Sequence, residues 1–371
     1  MRYFFSTGEA SGELLAVTLA EAIRRLDTDA HFEGIGSERM RAAGFTLWYD
    51  HAGLATIGLF ATLPNLPKLI AISLRTAFRL KRVKPDLVVL VDFGAFNIRF
   101  AKLLRSLGYK GKILDIFPPG TWLDNAKQAQ DVARVAMPLT AFEHQRDFYS
   151  SLGLPIAYFG HPLAARYTLR PERDAPPAAG GTIALLPGSR RTELQYHVPL
   201  LLQAYTMLKK IRPELRAVAG AAGQDAAKYL ERSFARFGID DIEIARGTID
   251  AIKDADAAWV SSGTAVLECA LSGVPAIALY VVSPLLVAHA ERLRAKHPFF
   301  TLPNLVMRRQ ILPEIFQGAA TPERLSAEMD RLLRDPSVQY REFGALRGAL
   351  GPPGATERCA AFAVELAKSS A

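Results

Sequence analysis

The stretch that decides the fold reads Ile183-Ala184-Leu185-Leu186-Pro187-Gly188-Ser189-Arg190, an apolar run that ends in a Pro-Gly-Ser-Arg turn. A helix-like pattern begins at about Thr192, so the stretch predicts a buried parallel strand, a tight turn and the N-terminus of a helix. Such a terminus has unpaired backbone N–H groups and partial positive charge, which suit a diphosphate. Ser189 adds a hydroxyl donor and Arg190 a bidentate donor. The pattern also fits an ordinary strand-to-helix turn whose arginine faces water.

A second turn of the same kind follows the apolar run Ala257-Ala258-Trp259-Val260. Its residues are Ser261-Ser262-Gly263-Thr264, and Glu268 comes about one helical turn later. A carboxylate there can accept hydrogen bonds from two ribose hydroxyls, as in dinucleotide folds; the alternative is that it compensates the helix dipole. Two such turns predict a site for a sugar nucleotide. Because neither is a Walker loop or a GxGxxG fingerprint, ATPase and hydride-transfer functions are disfavoured.

The composition is that of a globular protein with two domains. The chain has 371 residues, of which 50% are hydrophobic and 22% charged, and no apolar run approaches the length of a spanning helix. The N-terminus predicts a strand rather than a signal peptide, so we expect a cytoplasmic protein. Two cysteines and seven histidines without ligand spacing predict no metal and no cofactor. The net charge of +8 fits an anionic partner, and without a nucleic-acid motif we expect no nucleic acid.

Strand-like and helix-like runs alternate along the whole chain, which predicts an α/β fold with parallel sheets. Residues 170–181 are rich in Pro, Ala and Gly and form the predicted linker. We expect doubly wound domains at 1–169 and 182–353, and a last segment, 354–371, whose helix crosses back to the first domain. Ligands should bind in a cleft between the domains, outside the carboxyl ends of the strands.

One predicted helix, residues 66–84, is apolar, rich in Lys and Arg, and without any acidic residue. That pattern suits a helix lying on anionic lipid. The alternative is a core helix with a solvated basic face. The candidate membrane contacts are Leu66, Leu69, Ile70, Arg75, Arg79 and Arg82.

Further motifs accompany the two turns. In the C-terminal half they are Glu193 after Leu185–Arg190, Leu267-Glu268 after Ser262–Thr264, Leu302-Pro303-Asn304-Leu305 and Pro313-Glu314. In the N-terminal half they are Gly8-Glu9-Ala10-Ser11-Gly12, Leu54-Ala55-Thr56-Ile57-Gly58, Lys84-Pro85-Asp86, Val91-Asp92, Phe96-Asn97 and Phe159-Gly160-His161-Pro162-Leu163. Together they resemble the bacterial lipid-A-disaccharide synthase family over nearly the whole chain.

The resemblance implies a GT-B fold, in which two doubly wound Rossmann-like domains face a cleft, and an inverting glycosyltransferase. That family transfers diacylglucosamine from its UDP conjugate to diacylglucosamine 1-phosphate and releases UDP. In this chain the reaction needs no metal if Ser189, Arg190 and the helix starts after Gly188 and Gly263 neutralise the diphosphate. Glu268 would bind the ribose, and Asn304 the diphosphate or the sugar. Further substrate contacts implied by the motifs are Ser262, Thr264, Ser11, Gly12 and Asn97.

The N-terminal half departs from the family in the residue expected to act as catalytic base. The family has Asp-x-Pro-Asp-Phe-Asn, and Ala95 stands where its second Asp would be. Asp92, at the carboxyl end of an apolar strand, is then the first candidate for the base, although it also fits a turn cap. The other candidates are Glu9, Glu13, Asp124 and the weaker His161.

Three functions therefore remain open. The first is a transferase acting on a UDP-sugar donor and a glycolipid acceptor, peripheral on the inner face of the cytoplasmic membrane. The second is an isomerase, since UDP-N-acetylglucosamine epimerases share the GT-B layout. The third is a nucleotide-sugar binder without catalysis. The oligomeric state is also open, with a homodimer among the options.

Overall fold

The computed structural model describes residues 1–8, 10–50, 66–118, 125–171 and 180–369. The chain divides into two compact units, one formed by Met1–Arg166 with Leu350–Ala371 and the other by Tyr167–Ala349. Each unit is built on one parallel sheet with interleaved helices. The predicted class, two doubly wound α/β domains, is confirmed. Most of the predicted linker lies outside the described residues.

The first unit has a seven-stranded sheet of order β3-β2-β1-β4-β5-β6-β7. Its strands are β1 (Arg2–Ser6), β2 (His31–Gly36), β3 (Thr46–Asp50), β4 (Leu87–Val91), β5 (Ile113–Ile116), β6 (Met137–Thr140) and β7 (Ala157–Tyr158). Its helices are α1 (Ala10–Leu26), α2 (Glu38–Ala42), α3 (Leu66–Val83), α4 (Gly94–Ser106), α5 (Ala126–Val135), α6 (Glu143–Ser151) and the last helix of the chain, α15 (Ala355–Lys368). A 3-10 helix covers Pro162–Arg166.

The second unit has a six-stranded sheet of order β10-β9-β8-β11-β12-β13. Its strands are β8 (Thr182–Leu186), β9 (Arg216–Ala221), β10 (Ile242–Arg246), β11 (Ala257–Ser261), β12 (Ala276–Tyr280) and β13 (Glu314–Phe316). Its helices are α7 (Arg191–Ile211), α8 (Gln224–Phe237), α9 (Gly247–Ile252), α10 (Thr264–Ser272), α11 (Val287–Lys296), α12 (Leu302–Met307), α13 (Pro322–Arg334) and α14 (Ser337–Ala349). Two 3-10 helices cover Pro284–Leu286 and Gln317–Ala319.

The central strands form because both of their faces are buried. All five residues of β4 are buried; Val89 and Val91 join the core against α1, whereas Val88 and Leu90 join the core that holds Phe100 of α4. A parallel strand covered on both faces reads as a continuous apolar run, which is why sequence alone locates it.

Helix α15 packs in the first unit although it follows the whole second unit in sequence. Its inner face carries small side chains, among them Cys359, Ala360 and Ala363, and these lie in one core with Ala16 and Ala20 of α1. Small residues let two helix backbones approach closely. The end of the chain is therefore an integral layer of the first unit.

Strand order reverses once in each sheet. In the first unit the reversal lies between β1 and β4, and in the second between β8 and β11. At such a point the loops that leave two neighbouring strands diverge and open a crevice at the carboxyl ends, where α/β proteins bind ligands. The Pro187–Arg190 turn follows β8, and the Ser262-Gly263 turn follows β11. The strand order therefore predicts one crevice in each unit, the β1–β4 crevice in the first and the β8–β11 crevice in the second.

Candidate functional sites at the two crevices

The turn after β8 is braced by a buried carboxylate. Gly188 has φ +111, and a Cβ there would collide with the side chain of Glu193, so the turn requires glycine. Glu193 Oε2 accepts hydrogen bonds from the backbone N–H groups of Ser189 and Arg190, at 3.1 and 3.3 Å. Its Oε1 pairs with the Arg190 guanidinium at 2.8 Å. Glu193 thus fixes the start of α7 from its inner side.

This bracing changes one expectation from the sequence. Two amides of the turn, predicted to face a diphosphate, donate to Glu193 instead. The physical reason is that an acidic side chain in the first turn reaches back to the unpaired N–H groups at the start of its helix. What the turn presents to a ligand is the hydroxyl of the exposed Ser189 and the half-buried Arg190 side chain.

The turn after β11 is more open. Gly263 has φ +140 with open space where a Cβ would lie, and α10 begins at Thr264. Ser262, Gly263 and Thr264 are all at least partly exposed. Beneath them, Ser261 is buried, and its hydroxyl has no hydrogen-bond partner among the described residues. This crevice wall therefore offers helix-start amides and small side chains.

Glu268 lies one turn into α10 and is almost fully buried. Its Oε1 accepts a 2.6 Å hydrogen bond from the hydroxyl of Tyr167, which sequence reasoning missed. Because Tyr167 precedes Glu268 by 101 residues, no local pattern could have found the pair. The ribose role of Glu268 stays a prediction, with one carboxylate oxygen already held in place.

Asn304 differs from its predicted role as a direct ligand of the diphosphate or sugar. It is fully buried, and its Nδ2 donates to Leu312 O and Glu314 Oε1, while its Oδ1 accepts from the N–H groups of Ile311 and Leu312. An amide has two donors and two acceptor positions, and all four are used. Asn304 therefore anchors the 311–314 loop.

Glu314 is a further carboxylate of this unit with a buried side chain, and it was quoted from the sequence without a role. Its oxygens accept hydrogen bonds from the Thr301 N–H, the Thr301 hydroxyl and the Phe300 N–H, and pair with Arg294 at 2.7 Å. The Pro313-Glu314 motif thus fixes the loop that leads into α12.

In the first unit the structure brings Asp92, Ser11 and Gly12 together at the β1–β4 crevice. Asp92 directly follows β4 and has φ +38, which is uncommon outside glycine, and its Oδ2 accepts a hydrogen bond from the Ser11 hydroxyl at 3.1 Å. A Cβ on Gly12 would lie 3.2 Å from Val91 O, so the start of α1 passes closely over the end of β4. Such backbone strain clusters at functional sites.

Asn97, on the first turn of α4, lies below this crevice. It is fully buried, and its Oδ1 accepts a hydrogen bond from Ser6 at 3.2 Å. Its Nδ2 has no hydrogen-bond partner within the described part of the chain. Asn97 therefore connects α4 to β1, and its role toward a substrate stays a prediction.

Asp115 on β5 is a buried carboxyl that the sequence did not single out. Burial, and secondly the charge of Asp92, raise the pKa of Asp115 to about 8. The group therefore holds its proton at neutral pH. Asp115 and Asp92 are therefore close enough to interact electrostatically.

The remaining base candidates are either buried and hydrogen-bonded within the fold or lie outside the described residues. Glu13 is buried and binds Ser37 through both carboxylate oxygens, which ties α1 to the end of β2. His161 is buried, its Nδ1 accepts from the Leu163 N–H at 3.2 Å, and burial lowers its pKa to about 4. Both are held in structural roles here. Glu9, Asp124 and the motif at 54–58 lie outside the described residues.

Helix α3 exposes an apolar stripe. Ile70, Leu74 and Phe78, spaced by four residues, are 52%, 37% and 59% exposed. Arg75 and Arg82 are exposed as predicted. One expectation changes, because Leu69 is partly buried against the core. Arg79 is exposed, and its guanidinium lies 4.0 Å from the ring centroid of Trp48. Leu66 begins the helix, but its side chain is not described. Across the described residues, no helix is both long and apolar enough to span a bilayer.

Comparison with known structures identifies the fold of this chain. UDP-GlcNAc 2-epimerase from Neisseria meningitidis, solved with UDP-GlcNAc bound, superposes with a TM-score of 0.64 at 11% identity, covering 98% of this chain and 100% of its own. MurG from Acinetobacter baumannii gives 0.57 at 16% identity, covering 98% and 99%. At such identities the likeness shows the fold alone, which is GT-B.

Sequence comparison is more specific. A lipid-A-disaccharide synthase from Chromobacterium violaceum is 33% identical over 374 residues, covering 97% of this chain and 96% of the relative. One from Azotobacter vinelandii is 33% identical over 378 residues, covering 99% and 98%. The sequence model of the family described as lipid-A-disaccharide synthetase matches residues 3–345. With nearly the whole chain matched and full-length relatives one-third identical, the resemblance is confirmed: this chain belongs to the lipid-A-disaccharide synthetase family.

Proposed function

We propose that this chain transfers diacylglucosamine from UDP-diacylglucosamine to diacylglucosamine 1-phosphate and releases UDP, forming the lipid A disaccharide. Family membership over the full length supports this reaction. The single structural observation that carries it is the β8–β11 crevice, where Ser189 and Arg190 stand on a glycine turn braced by Glu193. That arrangement suits a nucleoside diphosphate.

In the donor half of the reaction, the protein must stabilise UDP as the leaving group. An acceptor hydroxyl attacks the anomeric carbon in line, and the bond from that carbon to the UDP oxygen breaks. The charge that develops on the diphosphate is stabilised by Arg190, by the Ser189 hydroxyl and by the positive end of α10. Glu268, held by Tyr167, would accept hydrogen bonds from the ribose. Because the guanidinium and the start of α10 supply positive charge, the proposed mechanism involves no metal.

The acceptor half needs a general base. We assign it to Asp92, whose Oδ2 is oriented by Ser11 at a strained strand end. Ser11 and Gly12 line the same crevice, and Ala95 cannot take the role. A well-placed base contributes about two to four orders of magnitude in rate, so the rate of the proposed transfer depends strongly on this residue.

The isomerase alternative rests on fold likeness to UDP-GlcNAc 2-epimerases at 11–12% identity, whereas the relatives at 33% identity are named lipid-A-disaccharide synthase. Incubation with UDP-N-acetylglucosamine alone separates the two functions. Epimerisation without any acceptor favours the isomerase, and its absence favours the transferase.

Both proposed substrates carry acyl chains, so the protein must meet a membrane surface. The α3 stripe, Ile70, Leu74 and Phe78, flanked by Arg75 and Arg82, is the surface we assign to this contact. Full burial of such a side chain contributes about 1.5–3 kcal/mol, and insertion of the exposed parts of these three among lipids recovers a fraction of that amount each. We infer a peripheral protein on the inner face of the cytoplasmic membrane.

Replacing Arg190 by Ala should lower kcat in the two-lipid transfer assay by about a hundredfold or more and weaken UDP binding, because a charge that stabilises the leaving group is lost. Arg191→Ala, one residue away and exposed, is the matched control and should stay within about threefold of wild type. Equal UDP affinity of wild type and Arg190→Ala in calorimetry would refute the donor assignment.

Asp92→Asn should lower kcat by about two to four orders of magnitude while UDP affinity stays at the wild-type value, since the base acts on the acceptor. Glu9→Gln is made in parallel because Glu9 is the next candidate for the base and belongs to the same sequence motif as Ser11 and Gly12. If Asp92→Asn turns over at nearly the wild-type rate and Glu9→Gln does not, the base is Glu9 and the assignment to Asp92 is wrong.

The double variant Arg75→Glu, Arg82→Glu should lose at least about tenfold in affinity for anionic vesicles, because each basic residue near such a surface contributes about 1 kcal/mol. Leu74→Ser, Phe78→Ser should lose the binding that persists at high salt. Arg232→Glu, Arg236→Glu on α8 reverses the same charge on two exposed residues and is the control. Sedimentation with vesicles measures the binding of all three variants. Unchanged binding of both α3 variants would show that α3 is a core helix with a solvated basic face and does not contact the membrane.

A further inference from the structure

His197 lies on α7, beneath the turn that begins the helix, and is fully buried. Its Nδ1 is 2.8 Å from the carbonyl oxygen of Pro187. Its Nε2 accepts a hydrogen bond from the N–H of Val281 at 3.0 Å. Pro187 opens the turn after β8, and Val281 directly follows β12. One imidazole ring therefore joins two loops at the carboxyl edge of the sheet.

The two partners determine the protonation state of the ring. A backbone N–H can only donate, so Nε2 carries no proton, and a carbonyl can only accept, so Nδ1 carries one. The ring is therefore a neutral Nδ1–H tautomer. Its burial acts in the same direction and lowers the pKa of His197. The titratable neighbours are Glu193 one turn earlier on α7, which pairs with Arg190, and Tyr280, whose ring centroid is 6.4 Å away.

The bridge spans the strand from which the second turn of the crevice leaves. In the sheet, β11 lies between β8 and β12, so a ring bonded to the loops after both neighbours crosses the end of β11. The Ser262 N–H donates to Leu279 O of β12 at 3.2 Å and links the third loop to the same frame. Two hydrogen bonds thus connect the loops after β8 and β12 through the ring, and a third joins the loop after β11 to strand β12.

A histidine is a costly way to fill this position. The neighbours of His197 on the inner face of α7 are apolar, with Leu194, Val198 and Leu201 in the core, and a polar ring buried among them must find partners or destabilise the fold. Here each ring nitrogen has one partner, and each partner belongs to a loop at the crevice. The ring therefore specifies loop geometry in addition to filling volume.

We propose that His197 is a positioning residue of the donor site, which holds the Pro187 turn and the Val281 segment at a fixed separation and so sets the width of the crevice for a nucleoside diphosphate. The proposal rests on the proposed function for the identity of that ligand. It assigns His197 no contact with the substrate; the residue acts through Pro187 and the adjoining Gly188-Ser189-Arg190.

The test compares three variants of the full chain in UDP calorimetry and thermal melts. His197→Phe keeps the ring volume and loses both hydrogen bonds, so we expect its Kd for UDP to rise at least tenfold. His197→Gln, whose amide has one donor group and one acceptor, should recover most of that loss. Tyr205→Phe, on the same helix, loses a 3.0 Å hydrogen bond to Asp241 and should lower the melting temperature with UDP affinity unchanged.

The outcomes separate positioning from simple stability. If His197→Phe is folded at the assay temperature and binds UDP as tightly as wild type, the proposal is overturned while the donor site stands. If wild type itself does not bind UDP, both the proposed function and the role of His197 are wrong. Long-range 1H–15N spectra of the wild type supply a second readout that needs no variant. They should show the Nδ1–H tautomer, and an Nε2–H or doubly protonated ring would overturn the proposal.

Discussion

The buried carboxylate of Glu193 is the interaction on which the candidate donor site depends. It holds two backbone N–H groups and the guanidinium of Arg190 around a turn that only glycine can make at position 188. A carboxylate in this position would be costly without partners, and it has three. Because the turn is already built, the proposed diphosphate ligand would meet two ordered donors, the Ser189 hydroxyl and the Arg190 guanidinium, and would not have to order them.

The two units differ in how their crevices are built. In the second unit, buried polar side chains such as Glu193, His197 and Glu314 are satisfied by several hydrogen bonds or ion pairs each. In the first unit, Asp92 adopts a strained backbone, and Asp115 is a buried carboxyl that stays protonated at neutral pH. This difference between the two units is consistent with a chain that carries Ala95 where the family's expected catalytic Asp would be.

The parts of this structure that the sequence could predict are local. Buried parallel strands read as apolar runs, and the turns after β8 and β11 carry their glycines in the primary sequence, so the fold and both walls of the donor crevice follow directly. The hydrogen bonds that decide side-chain roles join residues far apart in the chain: Tyr167 with Glu268, His197 with Val281, Ser11 with Asp92. Asn304 shows the consequence, because its motif marks it as functional, but only the fold reveals that all four of its hydrogen-bonding positions are used internally.

The most direct measurement of the central claim is a crystal structure of the chain with UDP. The account predicts the diphosphate at the β8–β11 crevice, with phosphate oxygens within hydrogen-bond distance of the Ser189 hydroxyl and the Arg190 guanidinium, and the ribose beside Glu268. A diphosphate bound elsewhere, or one at this crevice without contact to Arg190, would contradict it.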